Sequence, residues 1–202
     1  MRYLDEEPYI ATLHEEGIVP CDDGRSLCYD TGDYYGFDFT NLTSPQKGAD
    51  GLLEPAGEGR HVERAMIETL LTLLVDLGQA PLRLIPLDDD WADDELESLI
   101  GHGYLTKDEG AVLSRVVADG KAMDVIEIAA DEIATGVALL LPQLTVRSTV
   151  CAIVGGEGET LSLISQDDEI SFNTDDRGVY DKARALMKQR EIKLPFEVVW
   201  VD

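Results

Sequence analysis

Residues 62–78, VERAMIETLLTLLVDLG, restrict the fold more than any other stretch. Val62, Met66, Leu70, Leu73 or Leu74 and Leu77 recur at helical spacing, and Gly78 supplies a stop. Ile67 and Leu71 widen the apolar stripe, so this helix is expected deep in the core and needs cover from other elements.

That cover is expected from both ends of the chain. The first forty residues alternate aromatic or β-branched runs with turn signals: PYIATLH, GIVPCDDG, RSLCYD, TGD and YYGFDFT. The pattern predicts β-structure, with hairpin turns at Asp23-Gly24 and Thr31-Gly32-Asp33. After residue 142, TVRSTVCAIV, ETLSLIS and EISFNT predict a meander, a helix is expected over Asp176–Arg190, and PFEVVWV predicts a terminal strand. Between these ends lie APLRLIPL, expected as an edge strand because of Pro81 and Pro86, and three helical segments near 93–101, 106–118 and 121–141. Thr106 and Glu109 have capping-box spacing, and the third helix is expected to stop before Pro142.

The expected architecture is α+β: a mostly antiparallel sheet of N- and C-terminal strands packed against a central group of helices. Residues 1–202 are expected to form one domain, strand-rich over 1–40, a loop over 41–59, helical over 60–142, and strand–helix–strand over 144–202. A hydrophobic fraction of 44% is too high for a disordered acidic tail, so the chain should fold.

Charge bears most directly on function. With 41 acidic and 16 basic residues the formal net charge is −25, far beyond what solubility asks of a small domain. The acids are unevenly spread: residues 1–101 carry 23 against 6 bases, and residues 102–202 carry 18 against 10. Arg177, Lys182, Arg184, Lys188, Arg190 and Lys193 cluster near the C-terminus. A phosphate surface would repel this chain, which disfavours direct binding to nucleic acid or to an anionic membrane. A cationic protein partner is the natural expectation.

The densest run is LDDDWADDELES, in which seven of the ten positions from 88 to 97 are acidic. One or two acids suffice to cap and start the following helix. The remainder crowd like charges onto one helix face. Asp88, Asp89, Asp90, Asp93, Asp94, Glu95 and Glu97 are therefore the candidate partner-binding carboxylates, with Trp91 as an aromatic anchor beside them. A solvated acidic face, and a core role for Trp91, are the plainer alternatives.

Other chemistry is weakly signalled. The acidic run lacks the Asp-x-Asp-x-Asp-Gly loop of a calcium site. Cys21, Cys28 and His14 lack the close paired spacing of a structural zinc site, and three cysteines make no complete disulfide framework. His61 falls at a helix start, and His102 sits between glycines in GHGY, where a turn role is expected. GGEGET at 155–160 lacks the lysine of a phosphate loop and reads as a hairpin connection. No nucleophile motif selects a serine or cysteine, so no catalytic residue, metal or cofactor is assigned.

In general character the chain resembles bacterial toxin-immunity proteins and phage-encoded inhibitors that occupy nucleic-acid-binding grooves. The resemblance is compositional and carries over no residue. The leading expectation is a binding protein rather than an enzyme, one that masks a basic partner such as a nuclease, and the three cysteines with no secretory-signal pattern at the N-terminus point to a reducing cytoplasm. The alternatives are a metal-assisted hydrolase with dispersed ligands and a protein adapted to high salt, the latter suited by six lysines against 41 acids.

Overall fold

The computed structural model describes residues 1–21, 26–40, 60–87, 91, 96–144, 150–165, 169–190 and 194–201. The 41–59 loop, the Asp23-Gly24 turn and most of the 88–95 run lie outside the described residues. The chain is α+β, with helices enclosed in sequence by strands from both ends. Its elements in order are β1 (Arg2–Leu4), α1 (Glu6–Glu15), β2 (Ile18–Pro20), β3 (Leu27–Tyr29), β4 (Tyr35–Thr40), α2 (Arg60–Asp76), β5 (Leu82–Pro86) and α3 (Leu96–Gly101). There follow α4 (Lys107–Ala118), β6 (Val125–Ile128), α5 (Ile133–Pro142), β7 (Cys151–Gly155), β8 (Thr160–Ser165), β9 (Glu169–Thr174), α6 (Arg177–Arg190) and β10 (Glu197–Val201).

Eight strands form an antiparallel sheet in the order β1-β6-β5-β7-β8-β9-β4-β10, so the first and last strands of the chain are its two edges. The strands alternate as a two-sided sheet must. Ile153, Phe172, Phe37 and Leu84 point to one face, where they pack with Met66, Leu70, Leu71, Leu74 and Leu140 from α2 and α5. Ala152, Val154, Leu161 and Ile85 point to the other, under Leu13 of α1 and Ile18, Leu27 and Tyr29 of the separate β2–β3 hairpin. The broad stripe of α2 is thereby covered, and its exit is the positive-φ Gly78 at +82°. Thr106 caps α4 through the expected box: its hydroxyl accepts from Glu109 N at 3.2 Å, and the Glu109 carboxylate accepts from Thr106 N at 2.8 Å.

Several expectations are corrected. PYIATLH lies in helix α1, not in a strand. Glu6 and Glu7 favour the positive start of a helix, Pro8 falls within the first turn where its missing N–H costs nothing, and Tyr9, Ile10 and Leu13 share an inward face. The turn at Gly32, φ +70°, joins β3 to β4 without pairing them, because the two strands belong to different sheets. β5 is an interior strand between β6 and β7. Pro81 precedes it and Pro86 is its last residue, so Leu82 to Ile85 keep their N–H donors. The segment 121–141 is strand β6 followed by α5, since the run Val125, Ile126, Ile128 fits a sheet interior better than a helix surface. α5 also runs through Pro142, its all-apolar final turns being buried.

Candidate partner-binding surface

The sequence-derived candidates divide under the structure. Asp88, Asp89, Asp90, Asp93, Asp94 and Glu95 lie outside the described residues, and Glu97 is exposed on α3. Trp91 is fully buried. Its backbone N–H donates to Ala122 O at 2.7 Å and its indole Nε1–H to Asp124 O at 2.9 Å. An indole with no exposed surface presents nothing to a partner, so the anchor expected at Trp91 is a core side chain that fixes the middle of the acidic run next to the start of β6.

The structure gathers a different set of carboxylates. In an antiparallel sheet alternate connections fall at the same end, and here the β7–β8 turn, the exit of β9 and the entry of β4 share one end: Gly155 pairs with Thr160, and Tyr35 with Thr174. The end of α1 and the turn after β3 meet there too. Asp30 N donates to Gly17 O at 2.9 Å, and a Cβ on Gly158 would lie 3.1 Å from Glu16 Oε2. Gly158, at φ +86°, adopts a backbone conformation that favours glycine and lies against the Glu16 side chain. Four loops bring Glu15 and Glu16, Asp30 and Asp33, Glu157 and Glu159, and Asp175 and Asp176 to this rim, all exposed.

Several contacts hold the rim's backbone. Thr174 Oγ1 donates to Glu159 O at 2.6 Å, Gln79 Nε2 donates to Glu159 Oε2 at 2.7 Å, and Gly156 N donates to Gln79 O at 2.7 Å. Arg83 donates to Gly156 O and, at 3.3 Å, to Glu127 Oε2. Asp176 accepts from Gly178 N at 2.6 Å and so caps α6.

Like charges leave a mark on titration. The Glu16 carboxyl is pushed up from its ordinary range, first by partial burial and then by Glu157 and Glu15, against the opposing pull of Arg83. Burial pushes the Tyr29 hydroxyl up as well, with Asp175 and Glu159 adding to it. Arg83 is the main cation acting on Glu16, and it is engaged elsewhere as well. Arg2 and Arg83 pair with Glu127, Arg64 with Glu109, Lys121 with Asp124, Arg177 with Asp181 and Arg190 with Asp76, so these six are engaged within the molecule.

Beside the rim a cleft of about 140 Å³ opens between the β2–β3 hairpin and the sheet, lined by Cys21, Leu27, Cys28, Tyr29, Tyr34, Leu161, Leu163 and Asn173. Tyr34 is half exposed at 50%. Tyr29 links cleft and rim, since its ring lines the one while its hydroxyl lies 3.4 Å from Glu159 O and from Asn173 O.

The remaining candidates have structural settings. Cys151 is buried, and its thiol, raised by burial, donates to Ile85 O at 3.1 Å. His14 is exposed on the last turn of α1, and His102 lies in the turn leaving α3, its N–H donating to Ser98 O at 2.9 Å. The 155–160 segment is the β7–β8 hairpin connection. Among the described residues no group of three or more His, Cys, Asp or Glu side chains is arranged to hold a metal ion, and no helix is long and apolar enough to cross a membrane.

The rim residues were not singled out by sequence reasoning because no two of the four pairs adjoin. Each does sit in a turn signal, EEG, DTGD, GGEGE and TDD, which is the one cue available. No protein-family model matches the chain, and no curated protein or solved structure compared with it matches either.

Proposed function

We propose that this protein binds and masks a cationic protein surface, presenting fixed carboxylates where the phosphates of a nucleic acid would otherwise sit. A nuclease or another nucleic-acid-handling enzyme has the surface that this chemistry fits, in the manner of an immunity or anti-defence protein. The supporting observation is the convergence of exposed carboxylates from four separate loops on one end of the sheet, while six of the described cations are engaged in internal ion pairs. A concentrated field of one sign raises the encounter rate with an oppositely charged partner and makes that rate salt-dependent.

The test uses a ten-residue lysine peptide and a single-stranded oligonucleotide as probes. The wild type is expected to bind the peptide with an affinity that falls as salt rises, and to leave the oligonucleotide unbound. The rim variant Glu16→Gln, Glu157→Gln, Asp175→Asn should weaken peptide binding about tenfold, at roughly 0.5 kcal/mol for each exposed charge. A control that neutralises the dispersed exposed acids Glu7, Asp108 and Asp131 should lose much less. A third variant with Asp88, Asp89 and Asp90 changed to Asn compares the acidic run with the rim. Equal losses in the rim and control variants would reduce the charge to a diffuse property and refute the proposal.

A further inference from the structure

We infer that the cleft beside the rim is an anchor pocket for one aromatic or leucine-sized side chain of a basic segment in the partner. This rests on the cationic-partner reading and adds what that partner must carry. The cleft is mostly apolar, with Leu27, Leu161, Leu163 and the rings of Tyr29 and Tyr34 around it. Its volume of about 140 Å³ suits a single ring, since apolar cavities of roughly 150 Å³ accept a benzene-sized group. Charge complementarity selects the occupant. The hydroxyl of Tyr29, which forms the cleft wall, lies 3.4 Å from Glu159 O and from Asn173 O, two residues before Asp175, and the exposed Asp30 follows Tyr29 in the chain. A side chain entering the cleft from an acidic segment would bring its neighbours against these carboxylates. The same side chain flanked by lysine or arginine would place them favourably. Buried aromatic anchors surrounded by charge that steers approach are the usual division of labour at such interfaces.

The experiment compares three capped peptides on the full chain: Lys-Lys-Phe-Lys-Lys, Lys-Lys-Gly-Lys-Lys and Glu-Glu-Phe-Glu-Glu. The phenylalanine peptide is expected to bind about tenfold more tightly than the glycine peptide, the gain of burying much of one aromatic ring, and the acidic peptide is expected not to bind. Leu163→Trp, which fills the cleft, should erase that tenfold preference while leaving binding of the glycine peptide and its salt dependence unchanged. Because Leu163 is partly buried and its replacement could disturb folding, Tyr34→Ala serves as the second variant. It removes an exposed wall and should cut the preference severalfold. Equal, salt-sensitive binding of the two basic peptides would overturn the anchor and leave the rim reading standing. Salt-insensitive or absent binding of both would overturn the rim reading and the anchor with it. Binding of the acidic peptide would overturn the assigned charge of the occupant.

Discussion

Replacing Trp91 by Phe separates two roles that the acidic run could give its aromatic residue. In the structure the indole is wholly buried and donates a 2.9 Å hydrogen bond to Asp124 O. Phenylalanine cannot donate that bond, which leaves the carbonyl without its partner at a cost of about 1–3 kcal/mol. The smaller ring also leaves part of the site unfilled. Removing the whole of a buried Trp side chain costs about 3–5 kcal/mol, so the loss of one ring should contribute about 1 kcal/mol. The variant should therefore be destabilised by about 2–4 kcal/mol, a large share of the 5–15 kcal/mol typical of a domain. Urea unfolding followed by circular dichroism should show the midpoint falling with the slope unchanged. The variant that remains folded should bind the lysine peptide as the wild type does. A loss below about 1 kcal/mol together with weakened peptide binding would refute the core assignment and restore Trp91 as a contact residue.

Gly36→Ala places a Cβ 2.4 Å from Phe172 O, a backbone atom of the neighbouring strand that cannot retreat without breaking the β4–β9 ladder, and should cost about 3 kcal/mol or prevent folding. Gly101→Ala, with nothing within 4 Å, should be neutral to slightly stabilising in the same urea unfolding. At Glu109, burial alone would raise the carboxyl pKa, but hydrogen bonds from Arg64 and Thr106 outweigh it and hold the group below its ordinary value. Its contribution is thus present above the unfolded-state pKa and lost as pH falls through the lower folded one, so the deficit of Glu109→Gln, about 1 kcal/mol after discounting for solvent, should vanish in acid. Tyr9 is shifted the opposite way in its consequence. Burial raises its hydroxyl to about 12, and that buried oxygen has no hydrogen-bond partner among the described residues. Stability should fall as pH rises from about 10 toward 12. Tyr9→Phe should be neutral or stabilising at pH 7 and should remove this alkaline loss, which melts at pH 7 and pH 11 will check.

How much was legible depends on the range over which each signal acts. The α4 box needs only residues 106 to 109, and both of its hydrogen bonds form as the spacing predicts. The meander of β7, β8 and β9 and the long helix α2 carry their own period and stops. Errors arose where two local signals compete. Tyr9, Ile10 and Thr12 have strand propensity, yet Glu6, Glu7 and Pro8 start a helix and the hydrophobic period of 9, 10 and 13 agrees with them. Over 121–141 apolar residues are so dense that period alone does not separate β6 from α5. The interior place of β5 depends on strands that arrive about forty and seventy residues later in the chain. The rim is the extreme case, since four acidic pairs between residues 15 and 176 meet only through topology.

The distribution of charge follows from how this fold is assembled. A sheet buried on both faces over its middle strands has no room there for carboxylates, because a buried unpaired charge costs several kcal/mol. Acids are thus driven to strand ends and loops, and an antiparallel sheet collects alternate loops at one end. Crowding alone could produce a rim, but crowding does not explain where the cations go. Arg64, Lys121, Arg177 and Arg190 neutralise acids on the helices and at the opposite strand end or beside the rim. Arg83, the cation that pulls on Glu16, is itself shared between Glu127 and a backbone carbonyl. The Glu16 carboxyl is raised chiefly by its partial burial, with Glu157 and Glu15 adding to it against the pull of Arg83, so the folded chain holds its proton more tightly than the unfolded chain does and ionising Glu16 at neutral pH works against folding. A cation bound near Glu16 would oppose that shift by favouring the ionised carboxylate. If the rim is the partner-binding surface proposed above, part of the cost of ionising Glu16 in the free protein would be recovered when a basic partner binds there.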